Sequence, residues 1–207
     1  MTNSEMSRRG PGRPRAFNDA AVLGAAMRLF WRDGYSGASV PEISSATGLS
    51  TSSLYNAYGS KLDLLVAALD HYSDTVLDRH LLGPLAHGAD GLADIDAFLD
   101  RLAAASDVTH QPRGCLAVNT IAEFRDPPPP VAARTAHFRS QLRHGLHAAL
   151  SRACGLGEVP ADAVDRRADA LVPIVVAFHL LVTARAPAAE TRDLLTAART
   201  LAHGGLP

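Results

Sequence analysis

Hydrogen-bonding side chains fill one short stretch of this sequence, residues 51–56. Five of its six residues carry a hydroxyl or an amide: Thr51, Ser52, Ser53, Tyr55 and Asn56. In a helix, Leu54 would face the core and the polar side chains would face outward. A helix with a purely structural role rarely has such groups at nearly every outward position. A helix in the major groove of DNA does, because these groups bond to base edges and phosphates.

The elements that would hold this stretch are marked by capping signals. Ser39, with Glu42 three residues later, is a capping box and predicts a helix beginning at Val40. That helix should end at Gly48, since glycine suits the left-handed conformation of a helix terminus. Ser50 then caps a second helix, the one that contains the polar stretch. The sequence therefore predicts two short helices joined by a tight turn.

A third helix is predicted to open at Lys61, the only lysine in the chain beside 19 arginines. The string in residues 46–65, ATGLSTSSLYNAYGSKLDLL, resembles the helix-turn-helix signature of the tetracycline-repressor (TetR) family of bacterial regulators. The matching positions are Ala46, Gly48, Leu49, Ser50, Leu54, Tyr55, Tyr58, Lys61 and Leu64. Residues 25–43 look like the first helix of that family and the turn after it. The resemblance covers about the first third of the chain and departs from the commonest pattern at Ala57 and Gly59.

The resemblance implies an all-α fold, with an N-terminal three-helix head and a C-terminal helical domain for ligand binding and dimerisation. The positions that commonly hold phosphates correspond to Ser39, Ser53, Tyr55 and Lys61. The positions that can reach base edges correspond to Thr51, Ser52 and Asn56. The implied protein is a homodimer, paired through its last two helices, that binds a near-palindromic DNA operator. It is expected to be a ligand-responsive regulator, in most cases a repressor released by a small molecule.

Composition and charge agree with this expectation. Hydrophobic residues make up 47% of the 207 residues and aromatic residues only 5%, which favours an all-helical protein. The periodic segments and their breaks predict about nine helices. The first is expected to end at Gly34, and the long helix that begins at Lys61 is expected to end before a break at Gly83 and Pro84. Residues 1–61 carry a net charge of +3, and the remainder carries −4. A basic front and an acidic remainder fit a nucleic-acid-binding head joined to a body that avoids DNA.

The chain is predicted to divide into three parts. Residues 1–16 combine four arginines with glycines and prolines and predict a disordered basic arm, either in the DNA minor groove or a solubilising tail. Residues 17–62 form the predicted DNA-binding head, and residues 63–207 form the ligand-binding and dimerisation domain. The helices predicted at 161–185 and 188–203 have more apolar surface than one core needs, which favours pairing with a second copy. The alternative is that both helices belong to the core.

Several other classes of protein are disfavoured. Cys115 and Cys154 cannot build a disulfide framework and lack the spacing of a zinc site. No secretory signal follows the N-terminal arginines, and the longest apolar stretch, residues 170–184, is too short for a membrane span. A soluble, cytoplasmic protein is expected. No phosphate-binding loop, nucleophile elbow or His-Glu-x-x-His motif occurs, so neither enzymatic activity nor a cofactor is predicted.

A histidine-containing helix face offers an alternative function. His137, Gln141 and His144 lie at helical spacing with His147 close by, and two histidines one turn apart can bind a metal. The chain would then be a helical metal-binding module or an enzyme using the His137/His144 face. A hydrated helix face is the simpler interpretation, and no metal site is predicted.

The last candidates concern a small-molecule pocket in the body. Its predicted residues are Phe98, Leu102, Cys115, Asn119, Phe138, Gln141, His144, Phe178 and His179. Residues 113–124, RGCLAVNTIAEF, look like a segment shared by a branch of these regulators, some of which sense electrophiles or oxidants through that cysteine. Arg113 and a helix start near Gly114 would lower the pKa of the Cys115 thiol and favour the thiolate. The alternative is a small, buried, unreactive side chain.

Overall fold

The computed structural model describes residues 18–107 and 113–204, so the predicted arm at 1–16 lies outside the described residues. The helices are α1 (Asp19–Gly37), α2 (Val40–Thr47), α3 (Thr51–Tyr58), α4 (Lys61–Tyr72), a π-helical segment (Ser73–Leu82), α5 (Gly83–His87), α6 (Leu92–Asp107), α7 (Leu116–Glu123), α8 (Pro129–Gly155), a 3-10 turn (Ala161–Ala163), α9 (Val164–Thr183) and α10 (Ala188–His203). No strand occurs in the described ranges. The prediction of an all-α protein is therefore confirmed. Helix α4, the π-helical segment and α5 follow one another without a break and form one rod, residues 61–87.

The first three helices form the head, and its predicted capping signals are confirmed. The Ser39 hydroxyl accepts the N–H of Glu42, and the Glu42 carboxylate accepts the N–H of Ser39. Gly48 ends α2 in the left-handed conformation, with φ 71°. Ser50 caps α3 by accepting the N–H of Ser53 at 3.2 Å. The buried side chains around these helices include Phe30, Ile43, Leu54, Leu64 and Leu65.

The first helix changes direction at Gly34, the predicted end of its regular part. Gly34 has φ 74° and ψ 177°, a combination that side chains other than glycine rarely adopt. A Cβ added here would also lie 2.9 Å from a carboxylate oxygen of Glu123 on α7. The backbone conformation therefore requires glycine, and a larger residue would also displace the Glu123 carboxylate that arrives from the body.

The rod of residues 61–87 contradicts the sequence prediction at Gly83 and Pro84, where a helix break was expected. The helix continues because the preceding segment is wound as a π-helix, and the N–H of Gly83 donates to the carbonyl oxygen of Asp78, five residues back. Pro84 lacks an N–H and follows this wider turn without breaking the helix. A Cβ on Gly83 would lie 2.2 Å from the Asp78 oxygen, so the close approach needs glycine.

The body packs the rod, α6, α8, α9 and α10 around an apolar core. Its largest fully buried side chains include Phe98, Leu142, Leu146, Leu150 and Phe178. Arg152 on α8 joins three elements, since its guanidinium donates to the carbonyl oxygens of Leu85 at 2.6 Å and Ala86 at 2.9 Å. It also pairs with Asp94 on α6 at 2.9 Å. This partly buried side chain fixes the end of the rod against the body.

Candidate nucleic-acid interface

The outer face of α3 is the polar surface predicted from the sequence. Thr51, Ser52, Tyr55 and Asn56 are exposed and Ser53 is partly exposed, whereas Leu54 is buried against the head. Tyr55 is 45% exposed despite its size, so a large part of its ring and hydroxyl faces outward. In the described ranges, no hydrogen bond engages the side chain of Thr51 or Asn56. These groups are available to an external partner.

The serines of this helix are partly occupied by one another. The Ser50 hydroxyl lies 3.0 Å from that of Ser52 and 2.9 Å from that of Ser53. The Ser39 hydroxyl donates to the Glu42 carboxylate at 2.6 Å. This bond lowers the pKa of the exposed Glu42 carboxyl. Phosphate oxygens accept hydrogen bonds, so the predicted contact of Ser39 requires its hydroxyl hydrogen to rotate away from Glu42. The contact of Ser53 requires a hydroxyl hydrogen that is not donated to Ser50.

Lys61 is positioned by an aromatic ring rather than by an acid. Its ammonium lies 4.5 Å from the centroid of the Tyr35 ring. The ring attracts the ammonium and so restricts the Lys61 side chain to one region. In the described ranges the charge is not paired with a carboxylate. Tyr35 follows the change of direction at Gly34, so the end of α1 determines where the lysine sits.

A carboxylate from the body holds the same segment. Glu123, the last residue of α7, accepts the N–H groups of Tyr35 and Ser36, each at 2.7 Å. Nearby, the indole N–H of Trp31 donates to the carbonyl oxygen of Arg113 at 3.0 Å. These contacts join the head to the body. The sequence analysis missed them, because no local motif links Glu123 to a residue 88 positions earlier.

In the part of the chain that the structure describes, the nine residues of the predicted pocket lie in several different places. Gln141 and His144 line a cleft of about 520 Å³ between the π-helical segment, α5 and α8, together with Asp78 and His87. Asn119 lines a different cavity beside α1. The remaining residues are buried in the packed body: Phe98, Leu102, Cys115, Phe138, Phe178 and His179. A single pocket that unites all nine residues stays a prediction.

The histidines have no metal-binding arrangement in the part of the chain that the structure describes. No group of three His, Cys, Asp or Glu side chains there is placed to hold a metal ion. His137 and His144 are exposed on α8. His179 is buried, and desolvation lowers its pKa to about 4, so it is neutral near pH 7.

Two protein-family models match the chain. Residues 22–68 match the model described as bacterial regulatory proteins of the tetR family, and residues 91–201 match the tetracyclin repressor-like C-terminal domain. The chain belongs to the TetR family. It is a DNA-binding transcriptional regulator, as the sequence resemblance implied.

Individual relatives of this TetR-family protein are also transcriptional regulators. It is 27% identical to the HTH-type transcriptional repressor ComR of Escherichia coli (strain K12) over 161 residues, 76% of this chain and 75% of ComR. It is 30% identical to the uncharacterized HTH-type transcriptional regulator YezE of Bacillus subtilis (strain 168) over 158 residues, 74% of this chain and 79% of YezE. A structure of a cysteine mutant of the TetR-family regulator CifR with 26-base-pair operator DNA has a TM-score of 0.76 at 27% identity, covering 90% and 98% of the two chains. Among the described helices, none combines the length and apolar run that a bilayer crossing requires.

Cys115 of this TetR-family regulator is a small, buried side chain, which was the alternative to a sensor. Its side chain is 0% exposed, and the Tyr72 hydroxyl donates to its sulfur at 3.4 Å. Burial raises the pKa of the Cys115 thiol, which favours the unreactive thiol over the thiolate. The expectation that Arg113 lowers this pKa is wrong, because desolvation outweighs every favourable contact of the sulfur.

Alkylation should therefore distinguish the two cysteines. We expect N-ethylmaleimide to modify Cys115 at least tenfold more slowly than the partly exposed Cys154, because the buried thiol reacts only when the body opens. Mass spectrometry of proteolytic peptides over a time course measures both rates in one sample. Comparable rates would show that Cys115 is accessible in solution.

Proposed function

We propose that this TetR-family regulator is a homodimeric repressor that binds a near-palindromic operator and is released by a small molecule. The observation that carries the proposal is the outer face of α3, where Thr51 and Asn56 point away from the core without a partner in the described residues. A helix of eight residues has no structural need for such a face. Two copies of α3, one from each subunit, would read the two halves of the operator. The repressor ComR supports the direction of regulation.

The proposed contacts divide by chemistry. Lys61 carries a charge with no acidic partner in the described part of the chain, and with Ser39, Ser53 and Tyr55 it would hold phosphates. Thr51, Ser52 and Asn56 would face base edges, where an amide can bond to two atoms of one base. The proposed domains are a head at residues 17–62 and a ligand-binding and dimerisation domain at 63–207.

The proposed dimer forms through α9 and α10. On α9, Val172, Val176 and Leu180 follow one another at intervals of four residues, and Leu180 is 40% exposed. On α10, Leu194 and Leu201 are partly exposed on one side. An apolar stripe on two adjacent helices would be covered by the same stripe of a second copy, as a two-fold interface requires.

We propose that the small molecule binds non-covalently, because Cys115 is buried and held as a thiol. It would act on the contact between Glu123 and the turn at Tyr35 and Ser36, the hydrogen-bonded link from the body to the head. A ligand that favours another position of α7 would change the separation of the paired heads and weaken operator binding. The proposed location of the regulator is the cytoplasm, where the DNA lies.

Two substitutions in the head should have different effects on DNA binding. Lys61→Ala should weaken binding to all duplexes about equally and reduce the log–log salt slope by roughly one unit per subunit, because it removes one phosphate contact from each head. Asn56→Ala should instead cost about 1–3 kcal/mol at one symmetric pair of operator positions, because it removes a base contact. Fluorescence anisotropy with an operator selected from upstream of the gene, and with random duplex, measures both effects.

The outcomes identify each role. Loss of preference at one base pair with an unchanged salt slope would contradict the phosphate role of Lys61. Equal losses on operator and random DNA would move Asn56 to the phosphate-contacting group. Failure of the unmodified protein to prefer any upstream sequence would contradict the proposed function itself.

The dimer is tested by a charge on its proposed apolar stripe. Leu180→Asp should shift the protein toward the 21.8 kDa monomer in light scattering at micromolar concentration, because the interface would bury an unpaired carboxylate. Leu156→Asp is the matched control, since Leu156 is 59% exposed and lies at the end of α8. A stable dimer in the Leu180 variant, or dissociation of both variants alike, would place the interface elsewhere.

A further inference from the structure

A cavity of about 400 Å³ lies where the head meets the body. Its wall is formed by the end of α1, the residues before α7, α7 itself and the end of α9. The residues that matter for its chemistry are Trp31, Arg113, Asn119, Glu123, Thr183 and Arg185. It is separate from the cleft lined by Gln141 and His144, and the sequence analysis did not assign it.

The lining is rich in guanidinium groups. Arg32 also lines the cavity, but it is paired with Asp33 at 2.6 Å. Arg113 and Arg185 take part in no ion pair or side-chain hydrogen bond within the described ranges, although Arg113 helps Arg32 to lower the pKa of the Asp33 carboxyl. The carboxylate of Glu123 is already bonded to two backbone N–H groups. Two forked cation donors therefore line one cavity without a direct partner.

The backbone brings these two arginines to the same cavity at a conformational cost. Arg185 has φ 56°, the only left-handed residue other than glycine in the described ranges. Gly114, next to Arg113, has φ 60°, and a Cβ there would lie 2.2 Å from the Thr183 hydroxyl oxygen. The loop before α7 and the end of α9 are thus packed in close contact.

Polar and apolar groups complete the wall. The Thr183 hydroxyl donates to the side-chain oxygen of Asn119 at 2.7 Å, and the Asn119 amide donates to the carbonyl oxygen of Arg113 at 2.7 Å. These bonds fix the loop that carries Arg113. Trp31 adds a partly buried aromatic surface whose N–H is bonded to the same carbonyl oxygen. The cavity therefore offers two guanidinium groups, one of them on a held loop, beside an aromatic ring.

We propose that this cavity binds a small organic carboxylate, with its anionic group on Arg113 and Arg185 and its apolar part against Trp31. A guanidinium matches a carboxylate through two parallel N–H···O bonds. Binding itself needs no DNA, but its regulatory consequence rests on the proposed function. A second anion beside Glu123 repels that carboxylate and weakens its bonds to Tyr35 and Ser36. The bound carboxylate is thus expected to lower operator affinity.

Trp31 is the only tryptophan in the chain, so its fluorescence reports on this cavity directly. Phenylacetate should produce a saturable change, while phenylacetamide, the neutral molecule of the same shape, should produce none. Arg113→Gln and Arg185→Gln should each weaken phenylacetate binding about tenfold or more. Arg139→Gln is the matched control, because Arg139 is an exposed arginine of α8 outside the cavity, and it should leave binding unchanged. Circular dichroism confirms that each variant is folded.

Each result has a defined consequence. No saturable response to phenylacetate up to about 10 mM, an equal response to phenylacetamide, or an affinity unchanged in both cavity variants would overturn the proposal. Inorganic phosphate that binds as tightly as phenylacetate, with the same dependence on the arginines, would overturn the assignment to organic carboxylates. Operator affinity is measured separately by anisotropy. A protein that binds phenylacetate but no operator would refute the proposed function and leave the cavity assignment standing.

Discussion

Two hydrogen bonds to one carboxylate hold the end of α1, in the head, to α7 of the body. Glu123 accepts the N–H groups of Tyr35 and Ser36, which lie just beyond the change of direction at Gly34 and have left the regular hydrogen-bonding of α1. Both N–H groups donate to a charged acceptor, and such bonds are stronger than bonds between neutral groups, so α7 fixes the position of this turn. Because the Tyr35 ring lies under the Lys61 ammonium, the same contact also sets where the proposed phosphate-binding cation stands.

Local features of the head could be predicted from the sequence, and long-range ones could not. The capping box at Ser39 and Glu42 and the terminus at Gly48 depend on residues within one helical turn, so their types and spacing are sufficient. The Glu123 contact joins segments 88 residues apart and leaves no periodic signal. The predicted helix break at Gly83 was wrong for a related reason. A glycine followed by proline usually ends a helix, but the π-helical turn before Gly83 accommodates the pair.

The positions of the open spaces follow from how the body is packed. Apolar side chains such as Phe98 and Phe178 were expected to surround a ligand, but they fill the core. Space remains instead where the packing is irregular, beside the π-helical segment and at the junction of head and body. A ligand at the junction would touch the elements that position the head, so it would need no long pathway through the core to affect DNA binding. The sequence context of Cys115 suggested a sensor of electrophiles, but burial raises the pKa of its thiol and favours the unreactive form.

The central claim is that the Glu123 carboxylate fixes the head for operator recognition. The most direct measurement is the affinity of Glu123→Gln for the selected operator and for random duplex, compared with the unmodified protein at equal salt. We expect the operator affinity to fall on the order of tenfold, about 1.4 kcal/mol, because the paired heads lose their fixed separation. The affinity for random DNA should change little. An unchanged operator affinity would contradict the claim and reduce Glu123 to a cap on the end of α1.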